Sequence, residues 1–302
     1  MAQFMYEGRG LHYLERGRGE AVVLIHGLGS SGADWALQVR VLEKHFRVIV
    51  PDLPGSGHSA PMKQYSIDRF ARALWGLIDS LQLERVNLVG FSLGGAVGLE
   101  MALQRPEAVS RLALINSLAS YRLDHWTKWL EACLPMVLIP LLGMSWVARL
   151  GARRLFPQPW QTALRARAAT VVGAVPAACY LGTGRSLIGW SALERLGRLK
   201  ARTLMIAAEN DLTPLAEKQL HAARLGADLI VVRGSRHGTP FDAVRVTNAS
   251  LLALLTDSPL PPADRWLCDR TAHPLAFNGS LAEEHARAGA TRRRIDSLHP
   301  AF

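Results

Sequence analysis

Short apolar runs alternate with longer segments in which apolar residues recur every three to four positions, and this alternation covers most of the chain. Residues 22–25, 47–50, 86–89, 112–115, 203–207 and 229–232 read as buried strands. Segments 33–44, 66–81, 214–224 and 243–255, and the stretch running to Gln104, read as helices. In 66–81, Ser66 is placed to cap the helix, and Phe70, Leu74, Leu77, Ile78 and Leu81 fall on one face. Strands without polar interruption, separated by amphipathic helices, are what a parallel sheet covered on both faces requires. The expected class is therefore α/β, with a doubly wound, mostly parallel sheet. The glycine-rich first twenty residues suit an edge hairpin around Leu11 to Leu14.

The rhythm breaks after Ser117. Residues 120–190 carry helical stretches, no clear strand, and five of the eight tryptophans. A helical insertion between two sheet strands is a cap, here expected after the sixth strand. The implied organisation is a first core segment at 1–119, a cap at 120–190, a second core segment at 191–256 and a poorly ordered tail at 257–302, with one short helix near 281–288. Residues 132–148 contain no charge, a length at the bottom of the membrane-spanning range, but Pro135, Pro140 and Gly143 interrupt them. Helices over an apolar pocket are the favoured reading, with contact to a membrane surface secondary.

With 49% hydrophobic and 20% charged residues in 302, the chain can bury a large core. The three cysteines, Cys133, Cys179 and Cys268, have no CxxC spacing, and no basic and apolar leader opens the sequence. A cytoplasmic protein with reduced thiols, no metal and no cofactor is expected. Net charge is +10, of which residues 120–190 supply six: eight cationic residues face only Asp124 and Glu131 there. That concentration is either solvated surface or a face for anionic substrates, including an acyl group on an acidic carrier. Nothing points to nucleic acid.

The candidate chemistry centres on Gly90-Phe91-Ser92-Leu93-Gly94, directly after one strand and before a helix. A serine in so tight a turn presents its hydroxyl at the sheet edge, and the following helix aims free N–H groups at the same place. Serine needs a base to take its proton, and the base needs a group to orient it. Asp211 and His237 each follow a later strand, the edge where doubly wound sheets place their sites. Asp211, rather than Glu209 or Asp124, is expected to orient His237. The loop His26 to Ser31 can turn backbone N–H groups toward Ser92, which assigns an oxyanion hole to the amides of Leu28 and Leu93. Phe91, Trp126, Trp129 and Leu138 are expected as pocket walls.

Together, His26-Gly27, Asp52-Leu53-Pro54-Gly55-Ser56-Gly57-His58-Ser59, Gly90 to Gly94, Asp211 and His237 make the chain resemble a capped member of the α/β-hydrolase superfamily over residues 22–240. The resemblance implies a fold role for the Asp52 to Ser59 loop. It also implies a Ser-His-Asp hydrolase acting through an acyl-enzyme on an ester or thioester of a small-molecule substrate. Haloalkane dehalogenases and epoxide hydrolases place an aspartate where this chain has Ser92. Proline iminopeptidases carry Gly-Gly-Pro-Gly where it has Leu28-Gly29-Ser30. Esterases, enol-lactonases and C–C bond hydrolases share the triad and stay open. So does a hydrolase-fold receptor or binding protein with very slow turnover.

Overall fold

The computed structural model describes residues 2–262. The tail from 263 onward, including Cys268 and the helix expected near 281–288, lies outside the described residues. Eight strands, β1 (Ala2–Tyr6), β2 (Arg9–Arg16), β3 (Ala21–Ile25), β4 (Arg47–Pro51), β5 (Val86–Phe91), β6 (Val109–Ile115), β7 (Arg202–Ala208) and β8 (Asp228–Val232), form one sheet. Their order is β1-β2-β4-β3-β5-β6-β7-β8. The pairs β1–β2 and β2–β4 are antiparallel, and the rest of the sheet is parallel. Hairpin β1–β2 turns at Glu7-Gly8, both at positive φ, the backbone twist that matches two right-twisted strands.

The helices are α1 (Ala36–Leu42), α2 (Ile67–Ser80), α3 (Leu93–Gln104), α4 (Trp126–Leu142), α5 (Met144–Leu155), α6 (Thr162–Gly173), α7 (Ala177–Arg185), α8 (Leu215–Leu225), α9 (Thr239–Asp242) and α10 (Val244–Leu255). The helix expected over 33–44 divides into a 3₁₀ turn, Gly32–Trp35, followed by α1. Ser66 caps α2, its Oγ accepting the Arg69 N–H at 3.1 Å. The sheet separates two cores by strand alternation. Val23 and Ile25 of β3, and Leu112 and Leu114 of β6, join α2 and α3 on one face. Val22 and Leu24, with Ala113 and Ile115, join α1 and α10 on the other. Helix α3 is buried on every side from Leu93 to Leu103. Its one carboxylate, Glu100, accepts two bonds from Arg195 at 2.8 Å each and one from Trp190 Nε1 at 3.0 Å.

Between β6 and β7 lie α4 to α7, with one isolated bridge, Ser120 to Ser191, closing the base of the insertion. Helix α4 runs through Pro135 and Pro140 and stops at Gly143, which at φ +79° starts the reversal into α5. Among the described residues no helix is long and apolar enough to cross a membrane.

The loop after β4 is held by Asp52. Its Oδ1 accepts the Gly32 N–H at 2.7 Å and its Oδ2 the His58 N–H at 2.9 Å, while its carbonyl accepts Ser59 Oγ–H at 2.7 Å. Buried His26 accepts the Leu53 N–H at Nε2, 2.9 Å, so Nδ1–H donates to the Gly27 carbonyl at 2.8 Å. Burial lowers the His26 pKa, and the ring serves the loops as a neutral clamp rather than as a base. Asp52→Ala should strand two backbone donors and lower stability by about 3 kcal/mol, read from the midpoint of urea unfolding. A loss under about 1 kcal/mol would remove the clamp role from Asp52.

Candidate active site

Three strand ends converge on one point. Ser92 stands between β5 and α3 at φ +54° and ψ −119°, a conformation that costs a non-glycine residue about 1–3 kcal/mol. Glycines on either side make it possible. A Cβ at Gly90 would strike the backbone of Gly94 and Gly95, and one at Gly94 would strike the carbonyls of Ile25 and His26. The same close approach sets the loop carrying Leu28 against the helix start carrying Leu93. Leu93 opens α3, where backbone N–H groups have no partner within the helix. Leu28 lines the same cavity as Ser92 and His237.

Ser92 Oγ lies 2.8 Å from His237 Nε2, and His237 Nδ1 lies 2.6 Å from Asp211 Oδ1. With Nδ1–H donating to the carboxylate, Nε2 is left to accept the serine proton. The Asp211 side chain is fully buried, and its Oδ1 also accepts the Leu212 N–H at 2.6 Å. Glu209 turns away to accept the Gly234 N–H at 2.9 Å, and Asp124 sits exposed on the insertion beside Lys128.

Two residues that the sequence reading did not single out complete this cluster. Lys218 of α8 is fully buried and pairs with Asp211 Oδ2, the oxygen not facing His237. Its Nζ also lies 3.3 Å from Asn116 Oδ1. Asn116, just past β6, accepts the Ala208 N–H at 2.7 Å and donates Nδ2 to the His237 carbonyl at 2.8 Å and Thr239 Oγ1 at 2.7 Å. One amide thus joins the end of β7 to the histidine loop. Burial pushes the Asp211 carboxyl up, but His237 and the Lys218 ammonium outweigh it and hold the pKa at about 2. Burial pushes Lys218 down from its ordinary value, against the pull of Asp211.

Above Ser92 opens a cavity of about 580 Å³ between the sheet edge and α4, α5 and α6. Phe91, Leu138, Val147, Phe156 and Val172 give it an apolar wall, and Asn116, Tyr121 and the Asp34–Arg167 pair, at 2.7 Å, supply the few polar positions. Phe91 also packs on the His237 ring at 5.2 Å between centroids. Trp126 and Trp129, expected as walls, instead point outward, 69% and 57% exposed. The cavity takes Leu134, Pro135 and Leu138 from α4, Pro135 and Leu138 from the side opposite those indoles and Leu134 from the edge between the two sides. Among the described residues, no group of three or more His, Cys, Asp or Glu side chains is placed to hold a metal ion.

A family model described as alpha/beta hydrolase fold matches residues 20–213. A Pseudomonas syringae protein provisionally named carbamate hydrolase RutD is 31% identical over 260 residues, 82% of this chain and 98% of that protein. The enol-lactonase from Burkholderia xenovorans LB400 superposes with a TM-score of 0.77 at 25% identity, covering 84% of this chain and all of that one. An uncharacterized Mycobacterium tuberculosis protein is 41% identical over 102 residues, and the match spans 33% of this chain and 30% of that protein's length.

The Asp211 carboxyl, held at about 2 against 3.8 in the unfolded chain, binds its proton later when folded. It therefore stabilises by about 2 kcal/mol above pH ~4, a contribution lost as pH falls through about 2. Lys218→Met should cost about 3–5 kcal/mol and move the onset of acid unfolding to higher pH, followed by circular dichroism. Onset at the wild-type pH would show that the ammonium does not hold the carboxylate. The double variant Lys218→Met/Asp211→Asn should recover part of the loss.

Proposed function

The chain belongs to the α/β-hydrolase fold family, and we propose that within it the protein is a serine hydrolase cleaving a carboxylic ester or thioester with a sizeable apolar portion. The observation that carries this reading is the relay from Ser92 Oγ through His237 to a buried, ionised Asp211, opening on an apolar cavity. Ser92 Oγ attacks the carbonyl carbon while His237 Nε2 takes its proton. The amides of Leu28 and Leu93 receive the oxyanion, each well-aimed donor contributing about 3–4 kcal/mol in the transition state. Collapse expels the alcohol or thiol, protonated by His237. Water then gives its proton to His237 and attacks the acyl-enzyme, releasing the acid and restoring the serine. Asp211 stays ionised throughout and keeps the imidazole in the tautomer that accepts at Nε2.

The cavity bears on substrate class. A carbamate unit, the group in the name of the 31% identical relative, is small and polar, and it would leave most of a 580 Å³ apolar space unfilled. The likeness to an enol-lactonase favours a second reading on the same relay, opening of a lactone, in which the leaving alcohol stays tethered to the acyl group.

Ser92→Ala should abolish both ester turnover and fluorophosphonate labelling while leaving the fold intact. Labelling at a different serine would overturn the assignment. Asp211→Asn should slow turnover by about 10⁴-fold, whereas Glu209→Gln and Asp124→Asn should leave it near wild type. Across p-nitrophenyl esters of graded length, kcat/KM should rise from acetyl to medium acyl chains as the cavity fills. A maximum at acetyl would remove the apolar acyl portion from the proposal.

A further inference from the structure

Helix α4 has two apolar sides and only one is used. Its inner side supplies Pro135 and Leu138 to the cavity and buries Ile139. Its outer side carries Trp126, Trp129, Leu130, Leu134, Val137 and Leu141 at helical spacing, all exposed, with Leu141 reaching 72%. A continuous apolar stripe along a helix about 25 Å long is far more than scattered surface leucines, and such patches mark contact surfaces. The neighbouring α5 adds exposed Trp146 and Leu150, and on the same side Arg149 and Arg153.

Charge selects the partner. From 132 to 193 the chain has six arginines and not one carboxylate or lysine. Exposed tryptophan and leucine beside arginine is the composition that settles at the headgroup level of an anionic membrane, apolar side chains inward and guanidinium groups at the phosphates. Indoles in particular concentrate at that interface. At 17 residues with two internal prolines, α4 fits a helix lying on the surface rather than one crossing it. The stripe is also continuous with the cavity, because Leu134 and Leu150 are both exposed and both line it. We propose that the outer face of α4, with the adjoining side of α5, docks on an anionic phospholipid bilayer. An acyl ester dissolved in that bilayer then reaches Ser92 along apolar side chains without crossing water, a consequence that rests on the hydrolase reading above.

The test uses vesicles of phosphatidylcholine with or without phosphatidylglycerol. The full chain should co-sediment with the anionic vesicles, and tryptophan emission should shift to the blue as the indoles leave water. Leu130→Ser/Val137→Ser/Leu141→Ser, which alters no cavity-lining residue, should weaken partition by at least about tenfold. Arg149→Glu/Arg153→Glu should weaken it by about tenfold, with the difference fading in high salt. Both variants should keep wild-type turnover on a soluble short ester, while turnover of a vesicle-borne ester falls in step with partition. Binding without any turnover of either ester would leave the docking surface standing and overturn the hydrolase reading alone. Absence of binding to anionic vesicles, or binding that the triple variant leaves unchanged, overturns the proposal. A concentration-dependent dimer abolished by the triple variant, without vesicle binding, would assign the face to a second copy instead. Retention by an acidic acyl carrier protein, lost only in the arginine variant and without vesicle binding, would assign it to that carrier.

Discussion

The turn at Ser92 is the constraint around which the rest of the site is arranged. A side chain held at positive φ between a buried strand and a buried helix needs surroundings that leave it no alternative. Here backbone closes in from two sides: α3 presses against the carbonyls of Ile25 and His26 through Gly94, and β5 against the first turn of α3 through Gly90. The close fit of strand and helix requires glycine at both places. It also brings the loop after β3 next to the N-terminus of α3, the two places that hold the amides of the proposed oxyanion hole. Strain at one residue and convergence of two loops are thus the same packing event.

Buried polar chemistry fixes the other half of the site. Asp211, Lys218 and Asn116 lie in the interior, where unpaired charge is costly, and Lys218 bonds both of the others. The aspartate divides its oxygens, one to His237 and one to Lys218, so the carboxylate cannot rotate without abandoning a charged partner. Asn116 uses both ends of its amide to join the β7 end to the histidine loop. The loops that carry Asp211 and His237 are thereby referenced to the sheet rather than to each other alone.

The helical insertion is built differently. The central strands and α3 are apolar and fully enclosed. Helix α4 is apolar too, yet it lies outside the sheet sandwich and has only its inner side covered. Its composition resembles a core element while its position is that of a surface element, and its excess apolar area faces out beside a row of arginines.

Much of this was legible in the sequence because the signals are local. Strands at 22–25 and 229–232 and the N-cap at Ser66 follow from periodicity and short-range hydrogen bonding. Ser92, Asp211 and His237 stand out because each sits just after a strand, where a parallel sheet must place its loops on a common edge. Facing was not legible. Lys218 lies between Glu217 and Gln219 in a helix whose sequence reads as solvated, and only the packing of α8 against the end of β7 turns its ammonium inward to Asp211. Trp126 and Trp129 share the first turns of α4 with Thr127, Lys128 and Glu131, but from residue 132 onward the helix carries no charge, so periodicity over its whole length defines no inner side. The partner across the helix decides it, and α4 packs against α5 and α7 on its inner side so that the indoles face out. Sequence sets what each element is and where along the sheet its loop emerges. Which side of a helix meets the protein is decided by long-range packing, and no short window of sequence contains it.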